Sequence, residues 1–334
     1  MLSKESVSVR PNWQTRISNK GLDPSHWSEG SMVVVKEHPT NLVNALMDYA
    51  GRVPVALNNL FATGDPLETP QFGSLRKEQV FNAAASSWAH QDPSFPVRFD
   101  IAVTKLGGYI LLGVKGDYLE GMIAAAAASK AWHQHHFEGM SDMLEVNYLT
   151  EHLTQELQPF GAHASPPSIR DVTVLSSESI CSAYMASCIG EASGLKLSKI
   201  GIGKLEDIEP QEVRSDDPHT KSIIKIDPWS KILKDSDAES LWFNLFDTPR
   251  SFTFQPPWIL ALDEMIDFSE EVGEDQIDMV LNIWLSLSSQ SPVPLIVSSQ
   301  YKEGYRFEDS IITPVVLSIQ PEVETPAEPE AKPE

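Results

Sequence analysis

The chain has 334 residues, of which 41% are apolar and 22% charged, and it carries a formal net charge of -22 at pH 7. A globular chain of this length is able to bury a core without disulfides or metal ions. The acidic surface repels phosphate backbones and therefore excludes nucleic-acid binding through a broad basic face. With Cys181 and Cys188 as the only cysteines, a reducing compartment is favoured over secretion. No stretch reads as a membrane span or signal peptide, so an intracellular, cytoplasmic protein is expected.

The first 31 residues are polar, lack periodicity and carry Trp13 and Trp27. Tryptophans in a polar segment are typical anchors of an arm that lies along another surface. Residues 1–31 are therefore predicted to be a polar N-terminal arm, either a loose tail or an arm exchanged between subunits. A short strand is predicted over Met32–Lys36.

Two helices are predicted next. Thr40 caps an apolar-periodic helix that should end at Gly51, where a glycine is a common helix terminator. Residues 52–74 are rich in proline and glycine, which predicts an extended connection. A second helix is expected from Leu75 to Trp88.

The next segment predicts a β-hairpin. Residues 97–103 alternate apolar and polar side chains like a half-buried strand, and residues 109–114 form an apolar run of strand length. The Gly-containing stretch 105–108 is short enough to join them as a hairpin.

A long alanine-rich helix is predicted from Asp117 to Phe137, because Asp117 and Glu120 have the spacing of a capping box. Ser141 is expected to cap a second helix that reaches Leu157, and so short a link favours antiparallel packing. Alanines allow close approach of a neighbouring backbone, so the helical hairpin is a second predicted self-association surface beside Trp13 and Trp27. Its four candidate residues are Ala124, Ala125, Ala128 and Trp132.

The second half begins after the proline-rich residues 159–168. Strands are predicted over 171–175 and within 195–202, with a helix over 178–189 between them. The acidic stretch 203–221 is expected to be an exposed loop.

Three further helices are predicted near 237–247, 257–271 and 274–289, the last on apolar residues at spacings of three and four. Strands over 295–299 and 311–319 close the folded part.

The resulting fold class is mainly α with a minor β component (α+β). A helical core is expected around the alanine-rich hairpin, with short strands and the extended arm. Residues 32–320 form the folded region, which a division near 159–168 would split into two lobes. Residues 321–334 contain almost only Pro, Glu, Ala and Lys and should be a disordered acidic tail.

Histidines provide the sharpest local pattern, with His133 and His136 on one helical face and His152 on the next helix. Their spacing is not that of His-Glu-x-x-His, and the second Glu-x-x-His of a di-metal bundle is lacking. The favoured interpretation is a polar helix end, and no metal or other cofactor is expected.

A dense acidic run offers a second candidate for metal binding or acid–base chemistry. Carboxylates at this density usually mark a solvated helix face, which is the interpretation we favour here. The run comprises Asp263, Glu264, Asp267, Glu270, Glu271, Glu274, Asp275 and Asp278.

Motifs for phosphate binding and nucleophilic catalysis fail at specific positions. Gly201-Ile-Gly-Lys204 lacks the first glycine of a P-loop and the Ser or Thr that follows its lysine. Gly190-Glu-Ala-Ser-Gly194 has the wrong register for a nucleophile elbow. No catalytic residue is assigned.

The function inferred by exclusion is structural: a self-assembling coat or capsid subunit of a small virus, at least a dimer, that encloses double-stranded RNA without gripping it. The alternatives are an intracellular adaptor or scaffold, and a metal-dependent enzyme built on His133, His136 and His152.

Overall fold

The structure is a computed structural model that describes less than half of the chain. The described residues are 15, 18, 33–36, 39–63, 74–92, 94, 96–116, 122, 126, 143–144, 171–175, 196–200, 222–225, 229, 256–287, 294–299 and 313–318.

A seven-stranded sheet brings together strands from both ends of the chain. Its order is β1-β10-β9-β8-β2-β3, and β4 pairs with β10. The strands of this sheet are β1 (Val33–Lys36), β2 (Val97–Thr104), β3 (Tyr109–Lys115), β4 (Met143–Leu144), β8 (Ile277–Leu285), β9 (Pro294–Ser299) and β10 (Thr313–Ser318). All of its neighbours are antiparallel except β1 and β10, which are parallel.

Three strands form a second, parallel sheet in the order β6-β5-β7. These are β5 (Asp171–Leu175), β6 (Lys196–Ile200) and β7 (Ser222–Lys225). The first two confirm predicted strands. The third lies just beyond the acidic stretch and was not predicted.

Three α-helices are described: α1 (Pro39–Thr63), α2 (Ser74–Ala89) and α3 (Ile259–Glu264). Their apolar faces and one face of the large sheet form the main core. In α1 the buried residues recur every three or four positions, which places them on one side of the helix: Leu42, Leu46, Tyr49, Val53 and Leu57. None of the helices in the described ranges is long and apolar enough to cross a membrane.

The predicted end of the first helix at Gly51 is wrong. Helix α1 continues through Gly51 and Pro54 to Thr63, so residues 52–63 are not an extended connection. Gly51 is exposed, while Val53 and Leu57 continue the buried stripe. Core packing therefore outweighs two residues that usually interrupt helices.

The predicted helix over 274–289 is also wrong, and this is the largest correction. Residues 274–276 form a short 3-10 turn, and Ile277–Leu285 is the strand β8, which pairs with β2 on one side and β9 on the other. Both faces of β8 are buried, so nearly every residue in it is apolar. A continuous apolar run satisfies a helical spacing as readily as a strand.

Two smaller predictions fail in the same way. The helix expected over 257–271 ends at Glu264, after which residues 266–273 are irregular. Met143–Leu144, placed in the helix capped by Ser141, pairs with β10 as a strand. In both cases contacts with the sheet replace local helical hydrogen bonds.

Other local predictions are confirmed: the first strand, helix α2, the hairpin β2–β3, and strands β9 and β10. Strand β2 is buried almost throughout rather than half-buried. Of the predicted alanine-rich helix, Met122 and Ala126 are described, and both are helical and buried. The α+β fold class, the division near 159–168 and the acidic tail remain predictions.

Candidate functional site

Strand β2 presents charged side chains on one face only. Its apolar residues Val97, Phe99 and Ile101 belong to the main core, so the alternation of a strand turns Arg98 and Asp100 to the opposite face of the sheet. The register with β8 sets Trp284 opposite Arg98 and Asn282 opposite Asp100. We refer to Arg98, Asp100, Asn282 and Trp284 as the polar cluster.

The carboxylate of Asp100 is the centre of the polar cluster. Arg98 Nε lies 3.0 Å from Asp100 Oδ1, and Arg98 Nη2 donates to Asp100 Oδ2 over 3.2 Å. Asn282 Nδ2 donates to Asp100 Oδ1 over 2.6 Å. Asp100 is 2% exposed and Asn282 0%, so this charge is held in the interior by a cation and an amide donor. A buried carboxylate is tolerated only with such partners.

A β-bulge lies directly beside this carboxylate. Asp100 pairs with Gly113, whereas Ile101 pairs with Leu111, so Leu112 is an extra residue on β3. Bulges bend a strand locally and re-aim its side chains, and they are frequent beside functional sites.

Lys115 extends the polar cluster towards the edge of the sheet. It is the cross-strand partner of Arg98, so two cations occupy directly opposed positions. Opposed like charges destabilise a sheet. Asp100 is paired with Arg98, and the charge of Lys115 acts on the carboxylate of Asp267. Guanidinium and ammonium groups are the side chains that bind carboxylates and phosphates.

Two atoms of the polar cluster have unmet hydrogen-bonding capacity. Within the part of the chain that the structure describes, Asn282 Oδ1 and Trp284 Nε1 are buried and have no hydrogen-bond partner. Each buried group of this kind costs about 1–3 kcal/mol. Buried polar groups are nearly always paired, so two on one strand are a notable departure.

A second charged group, on the surface, serves to hold elements together. Arg52 on α1 donates to Asp48 over 2.6 Å and to Glu270 over 2.5 Å, and its guanidinium lies 5.0 Å from the ring centre of Tyr49. The backbone N–H of Glu270 donates to Leu111 O on β3. Through Glu270, Arg52 connects helix α1 to the edge strand β3, so this charged group has a structural role.

The interface and histidine candidates from the sequence are not among the residues that the structure describes. Outside the described residues are the interface candidates Trp13, Trp27, Ala124, Ala125, Ala128 and Trp132, and the histidines His133, His136 and His152. Self-association and the interpretation of the histidines therefore stay predictions. In the described ranges, no three His, Cys, Asp or Glu side chains are grouped so as to hold a metal ion.

The acidic run does not form one helix face, contrary to the interpretation from sequence. Its members are distributed over α3, the irregular residues 266–273, the 3-10 turn and strand β8. The i, i+4 spacing would align these carboxylates only on a continuous helix, so they do not form a row in this structure.

The sequence analysis missed Arg98, Asp100 and Asn282. The signal for the first two was present, because Val-Arg-Phe-Asp-Ile-Ala-Val places two charges at alternate positions of an otherwise apolar strand. Charges at strand positions that the core surrounds indicate a paired or functional group. Asn282 gave no such signal, since its segment was assigned to a helix.

One comparison with known proteins identifies a family. The family model described as glutathionylspermidine synthase preATP-grasp matches residues 4–264, which is more than half of the chain and includes β2 and β3. No curated protein matches the sequence.

The family match overturns the function inferred from composition. A coat or capsid subunit is wrong, and so are the expectation that the chain is not an enzyme and the description of it as a virion protein. The physical reason is that composition and missing motifs carry little information about chemistry. P-loop and nucleophile-elbow patterns each test for one kind of site, and their absence excluded only those kinds.

Proposed function

The chain belongs to the glutathionylspermidine synthase preATP-grasp family, and we propose that it acts as an ATP-dependent ligase that joins a peptide carboxylate to an amine. The observation that carries this proposal is the family match over residues 4–264. The matched segment contains Arg98, Asp100 and Lys115, the charged side chains on one face of the β2–β3 hairpin.

The chemistry follows from the product that the family name describes, a glutathione joined to spermidine. An amide does not form readily from a carboxylate and an amine, because the carboxylate has no good leaving group. Transfer of the γ-phosphoryl group of ATP to a carboxylate oxygen creates one. The amine nitrogen then attacks the carbonyl carbon and gives up a proton, while the bond between that carbon and the phosphorylated oxygen breaks. ATP is thereby converted to ADP and inorganic phosphate.

Arg98 and Lys115 suit the anionic partner in this reaction. A guanidinium binds carboxylates and phosphates through paired N–H groups, and an ammonium adds a second positive charge. Asp100 holds Arg98 within 3.0 Å and thereby fixes the position of the guanidinium. We assign Asp100 the role of a positioning residue.

The net charge of -22 supports the amine partner. A polyamine is a cation at neutral pH, and an acidic protein raises its concentration near the surface and speeds its encounter. This attraction is screened by salt, so we expect the KM for the amine to rise with ionic strength.

Magnesium normally accompanies the nucleotide in such a reaction and prefers carboxylate oxygens. The polar cluster does not fit this ion, because Arg98 and Asn282 occupy both oxygens of Asp100. The described residues also contain no group of acidic side chains that would hold a metal. The polar cluster is therefore a site for an anionic group of the substrate rather than for magnesium.

The test is an assay of the full chain with ATP, magnesium, glutathione and spermidine. ADP release should require both glutathione and spermidine, and mass spectrometry should detect the amide conjugate. Folded protein that releases no ADP and forms no conjugate at saturating substrate concentrations would overturn the proposal.

A matched pair of variants tests the role of the cations. Lys115→Gln removes the charge beside Arg98 and should raise the KM for glutathione about tenfold, because a hydrogen bond to a charged group contributes roughly 1.5–3 kcal/mol. Lys105→Gln makes the same change at the exposed hairpin turn. Its KM should equal that of the unmodified chain.

A further inference from the structure

Strand β8 offers one unused acceptor and one unused donor on the same face of the sheet. Asn282 and Trp284 are two positions apart, so their side chains project to the same side. In the described part of the molecule Asn282 Oδ1 and Trp284 Nε1 lack hydrogen-bond partners, although Asn282 is 0% exposed and Trp284 is 2% exposed.

The orientation of the Asn282 amide is determined by its neighbour. Only the NH2 group is able to donate to Asp100 Oδ1 at 2.6 Å, because the opposite orientation would bring two acceptors together. The amide oxygen of Asn282 therefore faces away from Asp100. The indole N–H of Trp284 is a donor in every state.

An acceptor and a donor in neighbouring positions select a ligand group that carries both an N–H and a C=O. Same-face neighbours on a strand are about 6.6 Å apart, a distance that one amide group with two hydrogen bonds of about 2.9 Å is able to span. A carboxylate would repel the amide oxygen of Asn282. An ammonium group has no acceptor atom for a hydrogen bond from the indole N–H of Trp284.

We propose that Asn282 Oδ1 and Trp284 Nε1 bind one peptide amide group of the substrate. The amide N–H donates to Asn282, and its carbonyl accepts from Trp284. This inference rests on the proposed function for the identity of the peptide, but its geometry comes from the two unpaired atoms alone.

The neighbouring charges fix the direction of the peptide. Arg98 is opposite Trp284 in the sheet, and Lys115 is opposite Arg98. A terminal carboxylate beside the two cations brings the preceding amide of the same peptide towards Trp284. The ligand class is thus a short peptide with a free carboxylate. Both amide-binding residues follow position 264, where the family match ends, so the site extends beyond the matched segment.

The experiment observes the tryptophan indole protons of 15N-labelled full-length protein by NMR. Trp284→Phe identifies the signal of Trp284 by its loss. Addition of glutathione should move that signal to higher proton frequency, because a new hydrogen bond deshields the proton. Trp88 is the internal control, since its Nε1 already donates to Asn58 over 2.8 Å, and its signal should stay in place.

Two small probes separate the amide from the carboxylate. N-acetylglycine carries one amide and one carboxylate, whereas propionate carries the carboxylate alone. N-acetylglycine should move the Trp284 signal and propionate should not. If both move it equally, or if neither does, the amide assignment is overturned.

Calorimetry with glutathione supplies the second measurement. Trp284→Phe keeps an aromatic ring but removes the donor, and it should weaken binding about tenfold. Trp88→Phe is the matched control and should leave the affinity unchanged. Equal affinities for Trp284→Phe and the unmodified chain would overturn the inference.

The two proposals fail in different ways. Movement of the Trp284 signal without any release of ADP would contradict the ligase function and support the amide site. Conjugate formation with a Trp284 signal that glutathione leaves in place would contradict the amide site and support the ligase.

Discussion

Asn282 and Asp100 are separated by 182 positions in the chain, yet their side chains meet at 2.6 Å in the middle of the large sheet. Strand β8 pairs along the whole length of β2, and the two residues lie directly opposite each other. The amide of one thereby satisfies a buried charge of the other. This hydrogen bond makes β8 an integral part of the candidate site.

Asp100 is expected to contribute more to stability than its partner Asn282. Asp100→Leu deprives the guanidinium of Arg98 of its buried counter-charge and should lower the free energy of unfolding by about 3–5 kcal/mol. Asn282→Leu removes one hydrogen bond to Asp100 and should cost about 1–3 kcal/mol. Urea denaturation of the two variants measures both values. A smaller loss for Asp100→Leu than for Asn282→Leu would contradict this ranking.

Two glycines should respond in opposite ways to the same substitution. A Cβ at Gly116 would lie 2.6 Å from Ile259 Cβ and 3.1 Å from its carbonyl oxygen, so Gly116→Ala forces α3 away from β3 and should cost about 1–3 kcal/mol. Gly51 has open space around it in helix α1, and Gly51→Ala should stabilise the protein by about 0.5–1 kcal/mol. Thermal and urea denaturation test the pair, and equal signs for the two would disprove the close contact.

The hydroxyl of Tyr49 is expected to make stability depend on alkaline pH. Burial and then the charge of Glu270 raise the pKa of Tyr49, whose hydroxyl donates to Tyr109 O over 3.0 Å. A raised pKa means that the folded chain holds this proton longer than the unfolded chain. The contribution is complete below about pH 10 and is lost as the pH rises through the raised pKa.

The pKa of Tyr49 is measured by following the ultraviolet absorbance of tyrosinate as the pH rises, in the unmodified chain and in two variants. Glu270→Gln removes one of the causes and should lower the pKa of Tyr49, while Tyr49→Phe identifies the contribution of this residue to the titration. Burial still acts in Glu270→Gln, so the pKa should remain above the ordinary value. An unchanged titration in Glu270→Gln would exclude the electrostatic cause.

The carboxylate of Asp267 is expected to make stability depend on acidic pH. Hydrogen bonds from the hydroxyl and backbone N–H of Ser269, at 2.6 and 2.9 Å, lower the pKa of Asp267. The folded state favours the carboxylate, so its contribution is present above about pH 3.9 and is lost as the pH falls through the lowered pKa.

Ser269→Ala removes the hydroxyl and should raise the pKa of Asp267 towards its ordinary value, as carboxyl 13C NMR would show. Ser86→Ala is the matched control, since that hydroxyl lies in α2 beside His90. A pKa that stays equally low in Ser269→Ala would exclude the hydroxyl and leave the backbone N–H of Ser269 and the charge of Lys115 as the causes.

Local elements of this protein follow from the sequence by itself. The hairpin β2–β3 is determined by two apolar runs and a turn in which Gly107 adopts a φ of 84°. Helix α2 follows from the spacing of its buried residues, Val80 and Ala84 among them. In each case the deciding interactions join residues that are close along the chain, so a local pattern contains them.

Helix α1 and strand β8 depended on tertiary structure. The continuation of α1 past Gly51 and Pro54 is stabilised by Val53 and Leu57 in the core, which outweighs the local preference for a break. Strand β8 is buried on both faces, and its backbone hydrogen bonds to β2 and β9 decide that it is extended rather than helical.

The sequence by itself determined that Arg98 and Asp100 share one face of an otherwise apolar strand. It also determined the family of the chain, because the family model matches the sequence over residues 4–264. Only the tertiary structure decided that Asn282 and Trp284 join them, because β8 reaches β2 through backbone hydrogen bonds between segments far apart in the chain. A buried charge requires its partners in three dimensions, and sequence spacing gives no information about partners that a sheet brings together.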